Sequence, residues 1–191
     1  MIDIYFEIRK RICPFHEVAN QIPLKKKILD IGCGNGILYK YFLDNKNYIS
    51  YTGIDKNLKR LRKLQQKIPN NVYFLNSKIE DILEDIKNYD CILMIDVMHH
   101  INKKYQKMVI ENILKNMNKG SMLIYKDISN KNFIKPLLNR LHDLIINFQF
   151  ISYYEPSKII NFAKKEMKIN DIKKFNIQTL WYEHEFLIIN K

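Results

Sequence analysis

Asp30-Ile31-Gly32-Cys33-Gly34-Asn35-Gly36 sets a carboxylate and three glycines in one short stretch. The apolar run Lys27-Ile28-Leu29 leads into it, and a helical pattern follows from Ile37. That order reads as a buried strand, a tight turn, and a helix whose N-terminus faces a ligand lying on the turn. Glycine tolerates positive φ and lets a ligand approach the backbone closely. Nineteen residues after Gly36 a second apolar run, Tyr48 to Ile54, ends in Asp55. A carboxylate at the end of the second strand is placed to accept from the two hydroxyls of a ribose. Turn and carboxylate together point to an adenosine-containing cofactor at the top of a parallel sheet.

The spacing narrows the choice. A nicotinamide fingerprint needs G-x-G-x-x-G, and Ile37 stands where the third glycine would fall. A nucleoside-triphosphate loop needs Gly-Lys-Ser/Thr, which the turn lacks. Asp30 to Gly36 resembles the first motif of the class I S-adenosylmethionine (SAM) methyltransferases. Further stretches match that family in order: Gly53-Ile54-Asp55, then Tyr89 to His100, then Met117 to Asp127. The resemblance is good over residues 23 to 128 and looser elsewhere.

The resemblance implies an α/β fold, a single Rossmann-like domain over residues 1–191. Its seven-stranded sheet is mostly parallel, with an antiparallel last strand and helices on both faces. Residues 1–23 would form an N-terminal helical cover, and 128–155 an insertion covering the acceptor. By the same likeness Asp30, Gly32, Gly34 and Gly36 would line the methionine and ribose side of SAM. Asp55 would bind the ribose, with Lys56 beside the adenine edge. The family commonly has an acidic residue after strand three. Here Ser77 stands nearest, so backbone at Lys78 and Ile79 would meet the adenine instead. Asp96 and Val97 would lie beneath the cofactor.

Methyl transfer from a sulfonium is an in-line displacement at carbon. The protein aligns the nucleophile, excludes water and often removes a proton. No metal and no covalent nucleophile is required, and the sequence carries no H-E-x-x-H, cysteine cluster or G-x-S-x-G. The fourth motif, Asp96-Val97-Met98-His99-His100, differs from the Asn/Asp-Pro-Pro-Tyr/Phe of enzymes acting on base amines. It resembles the small-molecule branch. For the proton acceptor we select His142, on the border of an apolar helical face, and Asp127, at the end of the fifth strand. Of His99 and His100, one is expected to pack near SAM and the other to cap the next helix. Tyr153 and Tyr154 are candidates for an aromatic acceptor wall.

Strand and helix alternate around these residues. Strands are expected near 27–31, 48–55, 72–75, 91–95 and 121–125. Helices are expected over 3–12, 14–20, 36–44, 57–68, 80–87 and 102–117. In the helix after Asn57, Leu58, Leu61, Leu64 and Ile68 recur at helical spacing and form its buried stripe. An amphipathic helix follows Pro136, another starts at Glu155-Pro156-Ser157, and a terminal hairpin spans 175–189. Such alternation implies a parallel sheet covered on both faces.

The chain has 191 residues, enough for one sizeable core. No apolar run approaches a membrane span, and charges throughout residues 1–15 are unlike a secretory leader. Cys13, Cys33 and Cys91 lack metal spacing, so a reducing cytoplasm is expected. The net charge is +12. Much of it falls on the solvated face of the helix after Asn57, in a chain rich in Ile, Asn and Lys. The expected activity is SAM-dependent transfer to a small-molecule, lipid-like or carrier-protein-tethered acceptor, with oxygen preferred. The positive surface suits an acidic acyl carrier protein. An RNA or protein methyltransferase, and a SAM-binding partner without activity, are the alternatives. Nucleic acid is the weaker partner because charge alone supports it.

Overall fold

The computed structural model describes residues 7, 9, 11–44, 46–62, 64, 68–129, 152–179 and 182–191. The five apolar runs read as strands become β1 (Lys27–Ile31), β2 (Ser50–Asp55), β3 (Val72–Asn76), β4 (Cys91–Ile95) and β5 (Met122–Ile128). They lie parallel in the order β3-β2-β1-β4-β5. The chain then forms a hairpin, β6 (Ile172–Thr179) and β7 (Tyr182–Asn190). β7 inserts antiparallel between β5 and β6, and completes a seven-stranded sheet. Because β6 is antiparallel to β7, β6 runs with the first five, and only the last strand is reversed.

Side chains alternate across a strand, so each strand feeds two cores. Leu29, Ile31, Ile92, Met94, Leu123 and Tyr125 face α3 (Lys103–Asn116) and α4 (Pro156–Lys165). Ile28, Tyr51, Phe74, Leu93, Ile124 and Phe186 face the opposite side. There α1 (Phe15–Gln21) and α2 (Leu58–Leu61) contribute Val18, Ala19 and Leu61. Two near-continuous apolar faces are what a buried parallel strand requires.

Local departures from the sequence reading have local causes. The helix expected over 36–44 closes as a π-helical turn at Tyr39–Leu43, where the Asp44 N–H donates five residues back to the Tyr39 carbonyl. The segment after β3 is a 3₁₀ helix, Ile79–Asn88, whose Lys78 N–H is capped by the Asp81 carboxylate at 3.0 Å. Leu58 does not join the buried stripe. It stands 41% exposed, while Leu61 is buried and Leu64 and Ile68 pack against the core. Asn57 caps α2, its Oδ1 accepting the Lys59 N–H at 3.1 Å. Among the described residues no helix is long and apolar enough to cross a membrane.

Candidate active site

The chemistry-bearing residues gather where β1, β2, β4 and β5 end. Gly32, Gly34 and Gly36 follow β1 with φ of +72°, +58° and +64°. The turn is a cradle that side chains would fill. A Cβ on Gly32 would fall 2.5 Å from Val97 Cγ2, whereas above Gly34 the nearest atom is 4.0 Å away. So Val97 packs against the turn from β4, and the space over Gly34 stays open. Asp55 is fixed by backbone donors: the Gly34 N–H gives to Oδ2 at 2.9 Å and the Asn57 N–H to Oδ1 at 2.8 Å. An ionised carboxylate has about four acceptor positions, so two backbone bonds orient it and leave capacity for hydroxyl donors. Lys56 is exposed beside it, and Arg60 comes within 4.0 Å of Oδ2.

Asp30 behaves otherwise. Its carboxylate is buried within β1 and turned to the Tyr51 hydroxyl, which donates to it. Burial pushes its pKa from 3.8 up to about 7; the Tyr51 bond opposes the rise and Asp55 adds to it. The folded protein therefore holds this proton more tightly than the unfolded chain. Its contribution is fully present below about pH 4 and declines as pH rises toward 7. Asp30→Asn keeps an acceptor for Tyr51 and should remove that decline. Denaturant unfolding across pH 4–8 should show the variant gaining on the wild type, by up to ~4 kcal/mol at pH 8. Parallel curves would show that Asp30 is ionised throughout.

On the adenine side, Ser77 Oγ donates to the Lys78 carbonyl at 3.1 Å. The Lys78 N–H expected to meet the base is already given to Asp81, and Ile79 packs on the core. Of the three candidates proposed from sequence, Lys78 thus has its amide engaged by its own helix cap.

β4 and β5 end in two polar clusters, one on each face of the sheet. Asp96 takes φ of +56°, the left-handed region that Asp adopts more readily than most residues. Its carboxylate receives the Lys126 ammonium at 2.7 and 2.8 Å, the Cys13 thiol at 3.4 Å and an Arg9 N–H at 3.5 Å. Burial alone would raise its pKa, but the Lys126 and Arg9 charges outweigh that and hold it well below the usual carboxylate range. Burial pushes the Cys13 thiol up to about 12. Nearby, His184 Nε2 and Thr179 Oγ1 lie 2.8 and 2.6 Å from the Ile12 carbonyl, so the N-terminal segment is also tied to the hairpin. Desolvation lowers the His184 pKa to about 4, consistent with a packed, neutral ring.

The other cluster centres on Asp127. Oδ1 bonds His99 Nδ1 and accepts the Ile128 N–H at 2.8 Å. Oδ2 accepts the His99 N–H at 3.3 Å and the Tyr125 hydroxyl at 3.4 Å. Asp127, selected from the sequence as a proton acceptor, is buried, and both its oxygens are engaged by the protein. His99 is the ring it holds. The expected cap on α3 is corrected, since Asn102 rather than a histidine accepts the Lys104 N–H, at 3.2 Å. Gln106 of α3 donates to the Met98 carbonyl at 3.0 Å and to the Ser152 carbonyl, and Ser152 donates to the His99 carbonyl at 3.3 Å. The loop bearing His99 is therefore held from two sides. A cleft of about 310 Å³ lies alongside, lined by Ile128, Tyr153, Tyr154, Pro156, Lys174 and Glu185 among others. The Tyr153 ring is 6.3 Å from that of His99.

His142, and the insertion between 129 and 152, lie outside the described residues. Asp96, His99 and Asp127 bring potential ligand atoms within 4.8 Å of one another. Lys126 and Arg9 already neutralise Asp96, and Asp127 holds His99 Nδ1, so we read an ion-pair cluster and a dyad rather than a ligand set.

A sheet ordered 3-2-1-4-5-7-6, with a glycine turn after β1 and a carboxylate closing β2, defines a class I, Rossmann-like methyltransferase domain. The profile of the methyltransferase domain family matches residues 5–165, and the chain belongs to that family, whose cofactor is SAM. It is 27% identical over 171 residues to the ubiquinone biosynthesis O-methyltransferase of Pelagibacter ubique, covering 81% of this chain and 68% of that one. It is 24% identical over 141 residues to phthiotriol/phenolphthiotriol dimycocerosates methyltransferase 1 of Mycobacterium ulcerans, covering 70% and 51%. The chain spans about half to two thirds of the length of these and similar curated relatives. The structure of magnesium protoporphyrin IX methyltransferase from Synechocystis PCC 6803, with S-adenosylhomocysteine bound, superposes with a TM-score of 0.65. It covers 98% of this chain and 84% of the other at 15% identity, a likeness of fold.

Proposed function

We propose that this chain transfers a methyl group from SAM to a hydroxyl oxygen of an apolar or aromatic small-molecule, lipid-like or carrier-tethered acceptor. The observation that carries this reading is the buried His99–Asp127 dyad, with Tyr153, 6.3 Å from the His99 ring, also lining a cleft of mixed aromatic and charged residues, Tyr154, Glu155, Lys174 and Glu185 among them. When bound, SAM supplies a methyl group already activated on a sulfonium sulfur. Gly32, Gly34 and Gly36 give it room, Asp55 takes the ribose hydroxyls, and Val97 supports the turn from below.

In this reading the carboxylate of Asp127 accepts from His99 Nδ1 and holds the ring in orientation. His99 takes the proton of the acceptor hydroxyl, and Asp127 stabilises the resulting imidazolium. Both groups are buried, so water is kept from the proton transfer. Ile128, Tyr153, Tyr154 and Pro156 would take the flat or apolar body of an acceptor, and Glu155, Lys174 and Glu185 its polar groups; the names of the two relatives above agree with that chemistry.

Asp55→Ala should weaken SAM binding by about 1.5–3 kcal/mol, the worth of hydrogen bonds to a charged group. Calorimetry giving unchanged affinity would remove Asp55 from the ribose site. The reading as a whole is tested by a screen of phenols, quinols, hydroxylated lipids and acyl carrier proteins with methyl-labelled SAM. Label should appear on an oxygen of such an acceptor. Label appearing only on RNA or on protein side chains would replace this reading with one of the alternatives.

A further inference from the structure

The sheet has two edges, and they are built differently. On one side β6 carries the exposed Lys173 and Lys174. Lysine on an edge strand discourages another chain from pairing there, because addition would desolvate the charge. On the other side β3 reads Val72-Tyr73-Phe74-Leu75-Asn76, with no charge and no proline. Its inward Val72 and Phe74 are buried, but its outward Tyr73 and Leu75 are 49% and 46% exposed. Ile49, at the foot of β2, is 52% exposed. These three, with Thr52 and Tyr89, line an open groove of about 660 Å³.

The groove exists because the 3₁₀ helix after β3 packs on α3 and β1. It leaves Tyr73 and Leu75 of β3 exposed on the outer face, where a parallel sheet is ordinarily covered on both faces. The exposed charge on the helix packed against this edge is basic. Lys56, Lys59, Arg60 and Arg62 are exposed on and before α2, which packs on β3, and exposed Lys78 follows the strand. Of the acidic residues on the 3₁₀ helix, Asp81 caps the Lys78 N–H at 3.0 Å, while the helix itself packs on α3 and β1. A second copy would carry the same basic helix on the same strand. Joining two β3 edges would therefore set like charges together in a chain of net charge +12.

We propose that β3 is a docking edge for an acidic segment of another protein, which adds as a further strand and lays alternate apolar side chains over Tyr73 and Leu75. Main-chain hydrogen bonds along the edge supply affinity, and the alternate side chains supply selectivity. The proposal is independent of what the chain methylates.

The test uses the full chain and two synthetic peptides, with valine at alternate positions and either glutamate or lysine between. The glutamate peptide should bind, bind less well as salt is raised, and slow hydrogen exchange of the β3 amides. Leu75→Lys should weaken it by about tenfold or more, as loss of an interface anchor does. SAM affinity of that variant should be unchanged, which also shows that it folds. The proposal is overturned if the glutamate peptide does not bind, if the lysine peptide binds equally, or if Leu75→Lys has no effect. Sedimentation should give a monomer. A dimer that Leu75→Lys dissociates would assign the edge to a second copy instead.

Discussion

Replacing His99 with Asn lowers turnover by about 10²–10⁴-fold, the usual cost of losing a general base, while SAM affinity stays within error of the wild type. Asn keeps a donor toward Asp127, so the buried carboxylate is not orphaned. Asp127→Asn reverses the polarity at Nδ1 and favours the wrong tautomer, so turnover falls although the ring stays in place. Single-turnover rates with a saturating acceptor, beside calorimetry for SAM, separate chemistry from binding. Wild-type turnover in both variants would mean that catalysis rests on alignment alone.

Lys126→Met destabilises the fold by about 3–5 kcal/mol, the range for removing one partner of a buried ion pair. The Lys126 side chain is fully buried, and its ammonium is the nearest cation to Asp96. Arg9, at 3.5 Å and 31% exposed, compensates only in part. Lys126→Met with Asp96→Asn should recover most of the loss, because the uncompensated charge is then gone. The pH dependence has a definite sign. Asp96 has a depressed folded pKa, so its contribution is present above the unfolded value near 4 and is lost as pH falls through the folded one. In Lys126→Met the carboxyl protonates more easily, so the deficit against the wild type narrows at acid pH. Denaturant unfolding at pH 7 and pH 4 measures both. A deficit equal at the two pH values would point to lost packing rather than lost charge.

Much of the frame was legible from residue order. The five parallel strands follow from short apolar runs punctuated by Gly, Asn and Pro. Asp55 was legible because its place depends on strand two ending where the apolar run ends. The glycine turn was legible because three alternate glycines have few backbone uses other than positive φ. The two helical misreadings, at Tyr39–Leu43 and Ile79–Asn88, are of hydrogen-bond register, which apolar spacing does not report.

The polar clusters were harder to see. Lys126 and Asp127 stand side by side at the end of the fifth strand, where only Asp127 was selected from the sequence, yet strand alternation sends the two to opposite faces. Lys126 meets Cys13 and Asp96, which Arg9 also reaches, on one side, and Asp127 meets His99 and Tyr125 on the other.

By itself, then, the sequence determined the order of elements, the cofactor turn and the carboxylate that closes β2. Those depend on neighbours a few residues apart. Only the tertiary structure brought His99 against Asp127, made Lys126 a buried counter-ion, and left Tyr73 and Leu75 of β3 exposed. The contacts involved span 28 residues for His99 and Asp127 and 113 for Lys126 and Cys13. Pairings at that range are fixed by how strands stack and helices cross, and local periodicity carries no record of them.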